Sequence, residues 1–157
     1  MSAMSQILNL LLGTFFSLCI GVLWVRFLLQ LVQADFYNPI SQLIVKITAP
    51  VLNPLRQILP TRKNWDIAPL LMIVLLQLLS MTLMAMLSGH GTLPPLLLVF
   101  GAIFQLMLMV TEFYLWLLIV SVVLSWISPG YSPFGALVNQ LAEPVLAPLR
   151  RILPPLG

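Results

Sequence analysis

Charge is the scarcest feature of this sequence. Of 157 residues only 7% are Asp, Glu, Lys or Arg, and the one histidine is His90. A soluble domain carries roughly 25% charged residues. Here 61% of the chain is apolar and the mean hydropathy is +1.08, so a water-soluble globule would leave large apolar patches facing solvent. The bilayer is the solvent that fits. Cysteine is almost absent: Cys19 lies alone inside an apolar run, which excludes an intramolecular disulfide and a Cys-based metal site. His90 sits in the loop SGHGTLPP with no second histidine and no nearby carboxylate, so it reads as a solvated loop residue and not as a ligand or base. GxxxxGK[ST] and GxGxxG are both missing. No catalysis, cofactor or metal is expected. The basic residues flank apolar segments and form no stripe interleaved with aromatics, so no direct nucleic-acid contact is expected either.

Long apolar runs are what the chain does have. Three are long enough to cross a membrane: 7–32, 67–87 and 96–127. The first lacks the basic flank and small-residue cleavage site of a signal peptide and is too long for one, so it is expected to be retained. The third would be about 48 Å long as a helix, beyond the hydrocarbon thickness, and must tilt, kink or project; Pro94-Pro95 suits its start. Gly13, Ser17 and Gly21 recur every fourth residue of the first run, either as a close-packing seam or as the small residues any membrane helix contains. Ser121 and Ser125 repeat this weakly, while Met81, Met84 and Met86 are read as packing or lipid-facing residues.

The few positive charges predict the orientation. Lys46, Arg56, Arg62 and Lys63 lie between the first two runs, and Arg150 and Arg151 follow the third, whereas the N-terminal tail and the loop around His90 have no Lys or Arg. The positive-inside rule therefore places the N-terminus outside and the C-terminus in the cytoplasm. Tyr37, Trp65, Trp126 and Tyr131 fall at the same inner boundary, at headgroup level.

The chain also repeats itself. PISQLIVKITAPVLNPLRQILP (39–60) matches PFGALVNQLAEPVLAPLRRILP (133–154) at eleven of twenty-two positions with an offset of 94. The matches include Pro39/Pro133, Pro50/Pro144, Pro54/Pro148, Arg56/Arg150 and Pro60/Pro154. Each copy follows a long apolar run, dividing the chain into 1–92 and 93–157. Two crossings per unit keep both copies the same way up, as parallel repeats. Ile40, Leu43, Ile44 and Ile47 share a helical stripe, as do Phe134, Leu137, Val138 and Leu141. Gln42 and Lys46, or Asn139 and Gln140, lie opposite. Pro39 and Pro133 fit a first helical turn, and Pro50 and Pro144 predict a break into two short helices at an angle. The expected architecture is all-α: three transmembrane helices and two proline-bent amphipathic segments in the inner headgroup region. A plain loop packed beneath the spans is the alternative for those segments.

The segments DFYNPISQLIVKITAPVLNPLRQILP and SPFGALVNQLAEPVLAPLRRILP resemble the duplicated signature of the YggT family, also called YlmG-like, of bacterial and plastid membrane proteins. The resemblance covers essentially the whole chain. Family members usually close the second copy with a fourth span, and this chain stops at Gly157. The expectation is a truncated form or a lost helix, with the second half left to pair with another chain.

Two charged residues fall within the runs. Glu112 lies about 15 residues from the inner end of the third run, where a charge would cost a few kcal/mol. It is either a neutral, structurally tolerated acid or an ion or proton site facing a polar cavity with Gln105, Thr111 and Ser121. Arg26 lies nearer the cytoplasmic end, where it snorkels or, given helix offset, pairs with Glu112.

Two functions follow. The first is a small membrane organiser or assembly factor, in which Lys46, Arg56, Arg150 and Arg151 bind anionic headgroups or a protein partner, and the chain itself forms homo-oligomers or joins another membrane protein. The resemblance implies roles in cell division, nucleoid distribution and maturation of membrane cytochrome complexes. The second is a component of a potassium or proton pathway linked to osmotic stress, also implied by the resemblance.

Overall fold

The computed structural model describes residues 3–34, 37–58, 66–89, 91, 94–127 and 132–152, of which 58 and 149–152 are described by backbone alone. Five helices account for nearly all of them: α1 (Ala3–Leu31), α2 (Pro39–Ile58), α3 (Ala68–Leu87), α4 (Pro95–Ile127) and α5 (Pro133–Ile152). No strand occurs among the described residues. α1, α3 and α4 are long and apolar enough to cross a membrane, and their bounds follow the three apolar runs closely.

Local chemistry sets the helix ends. α1 stops where Gln33 turns left-handed at φ 49, letting the Ala34 amide reach back to the Leu29 carbonyl at 2.9 Å. α2 starts at Pro39, whose missing N–H costs nothing in a first turn, and Asn38 Oδ1 accepts the Ile40 amide at 3.0 Å. Ser132 does the same for α5, its Oγ accepting the Gly135 amide at 2.9 Å. At the other end of α3, Gly89 takes a φ of 76, which a side chain would resist.

α1 and α3 pack against each other more extensively than any other pair and run antiparallel. Asn9 Nδ2 donates to Ser88 Oγ at 3.2 Å. A methyl group on Gly13 would stand 2.7 Å from Met84 Cε. Further along, Ile20 and Leu23 share a buried cluster with Ala68 and Ile73 of α3 and Leu52 of α2. α4 joins on the other flank of α3, with Gly101 against Met81 and the Gln77 amide donating to Gln105 Oε1 at 2.9 Å. The small-residue spacing of α1 is therefore not one seam: Gly13 meets α3, Gly21 faces Met109 of α4, and Ser17 is exposed.

This register leaves α1 and α4 longer than α3. Ala68 begins α3 at the level of Leu23, so α1 overshoots it by about eight residues, some 12 Å. The second buried cluster fills that overshoot. Leu28, Leu29 and Ala34 meet Leu117 of α4 and Leu137, Val138, Leu141 and Ala142 of α5, with Ile40 and Ile44 of α2 against them. α2 and α5 both fold back alongside the helix that precedes them: α2 contacts move from Leu28–Leu29 towards Ile20–Leu23, and Ser121 of α4 donates to Asn139 Oδ1 of α5 at 3.0 Å.

Each repeated segment is one continuous helix of 20 residues, correcting the expected break into two short ones. Pro50, Pro54, Pro144 and Pro148 all lie inside their helices and all are exposed. The carbonyls they leave without donors, one turn earlier, belong to Lys46, Pro50, Gln140 and Pro144, which are exposed too, so no buried acceptor is orphaned and the helices continue through them. Pro60 and Pro154 lie outside the described residues.

Candidate functional site: the clamped amphipathic helices

Three arcs run along α2, as a period of 100° per residue predicts. Ser41, Thr48 and Leu52 are buried, with Ile44 and Leu55 beside them. Leu43, Ile47 and Val51 form an exposed apolar arc. Gln42, Lys46, Asn53 and Gln57 form an exposed polar one. The single apolar stripe read from the sequence thus splits: Ile40 and Ile44 turn to the core, Leu43 and Ile47 away from it. An exposed apolar arc beside an exposed polar arc is the surface of a helix seated at an apolar–polar boundary.

Arg56 anchors this helix. Its guanidinium donates through Nε to Asp66 Oδ2 at 2.8 Å and through Nη2 to the same oxygen, while Asp66 Oδ1 accepts the Ala68 amide at 3.1 Å. One buried carboxylate therefore ties the last turn of α2 to the first turn of α3. Arg26 of α1 lies within electrostatic range of both Arg56 and Asp66. Its Nε is buried with no hydrogen-bond partner among the described residues. Asp66 is thus paired with Arg56 at the level where α3 begins, with Arg26 near enough to feel both charges.

The sequence singled out Arg56 as a group reaching phosphates, and the structure places it against Asp66, a residue the sequence reading passed over. The available signal was an acid ten residues after Arg56 and two before the start of an apolar helix. Arg26 joins this cluster and is not brought to Glu112. Lys46 stands exposed on the polar arc. Arg150 and Arg151 belong to the last turns of α5 by backbone, and their side chains lie outside the description. His90, Arg62, Lys63, Trp65 and Tyr131 fall outside the described residues.

The polar cavity expected around Glu112 does not assemble from its proposed members. Gln105 is taken by Gln77, Thr111 donates to the Met107 carbonyl of its own helix at 2.9 Å, and Ser121 reaches α5. Glu112 is exposed on α4. Met109, three residues before it, packs in the cluster that holds Ala68 and Ile73, so Glu112 is level with the first turn of α3. A groove of about 620 Å³ opens between Leu31 and Val32 of α1 and Asn139, Gln140 and Glu143 of α5. Its charged lining residue is an acid, so it does not suit an anion. No group of three or more His, Cys, Asp or Glu able to hold a metal occurs among the described residues.

The CCB3/YggT family model matches residues 5–87 and 100–157. The chain is 45% identical to an uncharacterised protein of Pseudomonas aeruginosa over 94% of its own length and 76% of that protein. It is 38% identical to an uncharacterised protein of Vibrio alginolyticus, covering 96% of this chain and 82% of the other. Against the uncharacterised protein YggT of Escherichia coli K12 the identity is 36%, over 96% and 78%. No solved structure matches.

Proposed function

Because this chain belongs to the CCB3/YggT family, we propose that it is a non-catalytic organiser of the inner membrane, working in cell division, nucleoid distribution or assembly of membrane complexes. α2 and α5 serve as its cytoplasmic contact surfaces for anionic lipid and protein partners. The observation that carries this reading is the division of labour on α2. Arg56 is spent on clamping the helix, and Lys46 is left on an exposed polar arc flanked by exposed Leu43 and Ile47. A helix held this way presents its cation at headgroup height without ordering cost at each encounter. Arg150 and Arg151 supply the matching charge at the end of α5. The orientation, N-terminus outside and C-terminus in the cytoplasm, follows from the flanking Lys and Arg.

The test is binding to nanodiscs with and without anionic phospholipid. A basic residue near an anionic surface is worth about 1 kcal/mol, so Lys46→Ala with Arg150→Ala and Arg151→Ala should weaken the anionic preference by roughly two orders of magnitude at low salt. An unchanged preference, with native crosslinks to neighbours also unchanged, contradicts the reading.

A second reading, a component of an ion pathway, draws on the polar pair between α3 and α4 formed by buried Gln77 and exposed Gln105. Potassium or proton flux through liposomes holding the purified chain, abolished by Glu112→Gln, would favour it over the first.

A further inference from the structure

Where α2 meets α3, one carboxylate lies within electrostatic range of two guanidiniums and pairs with only one of them. Both oxygens of Asp66 are occupied, Oδ2 by Arg56 and Oδ1 by the Ala68 amide. Arg26 of α1 feels these charges, yet its Nε is enclosed with no acceptor among the described residues. A guanidinium stays charged in a protein and carries five donors. Gln30, one turn along the same side of α1, has a buried Oε1 that also lacks a partner. That neutral amide could accept one of the donors and would balance none of the charge. Among the described residues this corner therefore holds one positive charge in excess.

The surface leading to Arg26 is apolar. Val22, Leu18 and Phe15 precede it at helical spacings that put all four on one side of α1. Leu18 and Phe15 are 64% and 61% exposed. From Phe15 to Arg26 the strip runs about 16 Å, roughly half the thickness of the hydrocarbon core. α3 sets its depth. The 20 residues of α3 span about 30 Å, which matches that core. Ala68, which opens α3, packs with Leu23, and Arg26 lies one turn beyond Leu23. The guanidinium is thus at headgroup height, and the strip reaches from it to the midplane.

α4 supplies the opposite case. Phe104 and Leu108, 64% and 53% exposed, lie one turn apart on one side of it, and the next residue on that side is Glu112, exposed and level with the first turn of α3. Two apolar strips at one depth therefore end in opposite charges. Acyl chains can cover either strip, but only the one on α1 offers an anionic headgroup a counter-charge. We propose that Arg26 holds the phosphate of an anionic glycerophospholipid, one acyl chain of which lies along Val22, Leu18 and Phe15. The strip ending in Glu112 disfavours the same lipid. This is one lipid kept at a defined place, beyond the diffuse attraction exerted by Lys46, Arg150 and Arg151, and neither role requires the other.

The full chain is placed in nanodiscs of mixed phosphatidylcholine and phosphatidylglycerol that carry a trace of one or the other lipid with a diazirine in its acyl chain, and the photoadducts are mapped by mass spectrometry. Adducts at 15–22 should favour the phosphatidylglycerol probe about fivefold, the effect of one basic residue at an anionic surface. Adducts at 104–108 should show no such preference. Arg26→Gln should bring the ratio at 15–22 down to that at 104–108, and so should Val22→Glu, which keeps Arg26 and gives it an acid one turn away. Lys46→Ala with Arg150→Ala and Arg151→Ala should leave the ratio unchanged. Equal labelling of 15–22 by the two probes in the unaltered chain would overturn the proposal whether or not the variants fold. A preference that persists in folded Arg26→Gln, or that disappears with the other three cations instead, would overturn it too.

Discussion

Asp66 receives Arg56 on one carboxylate oxygen and the backbone amide of Ala68 on the other, so a single side chain joins the end of α2 to the start of α3. The contact works because Asp66 is buried and Arg26 lies close enough to add a second positive charge.

Removing the two partners should therefore have unequal effects. Asp66→Ala leaves Arg56 without its counter-charge and Arg26 without a nearby acid, and since Arg56 is partly exposed the loss should fall at or below the low end of the about 3–5 kcal/mol a broken buried pair costs. Arg56→Ala leaves Asp66 with Arg26 nearby and the Ala68 amide still bound, so it should cost only about half as much. Thermal unfolding in detergent, comparing the two variants, measures the difference.

Gln77 and Gln105 form the polar link between α3 and α4. Interhelical hydrogen bonds of this kind contribute about 0.6–1.7 kcal/mol. Gln77→Leu alone should destabilise by roughly that amount, because Gln105 is left without its donor. Gln77→Leu with Gln105→Leu should recover most of the loss, and a double-mutant cycle reads the coupling.

Gly13 sets the distance between α1 and α3. An added Cβ would meet only the flexible end of Met84, so Gly13→Ala should cost under about 1 kcal/mol, with the gain in helix propensity as an offset. Gly13→Leu would force the helices apart and should cost about 1–3 kcal/mol. Unfolding of both variants in the same detergent decides this.

Much of the fold was legible in the sequence, for definite physical reasons. Long apolar runs mark spans because the bilayer demands about 20 apolar residues, and α1, α3 and α4 begin and end within a few residues of the runs. Pro39, Pro95 and Pro133 mark helix starts because a first turn needs no proline N–H. The prolines at 50 and 144 misled, since their cost depends on whether the freed carbonyls face water, and sequence alone does not show that. For Glu112 the sequence shows a position along α4, whereas its neighbours across the bundle, at the level of the first turn of α3, come from the packing of Met109. Asp66 went unread, because its approach to Arg56 depends on how α2 folds back, which no local pattern shows.

The central claim is that α2 and α5 expose equivalent polar arcs on one side of the membrane. Lys46 and Gln140 occupy equivalent positions and both are exposed, while Met4 is exposed near the other end of α1. In a Cys19→Ser background, Lys46→Cys and Gln140→Cys should both react with a membrane-impermeant maleimide in inside-out vesicles and not in right-side-out ones, and Met4→Cys should do the opposite. Labelling of positions 46 and 140 from opposite sides would contradict the account.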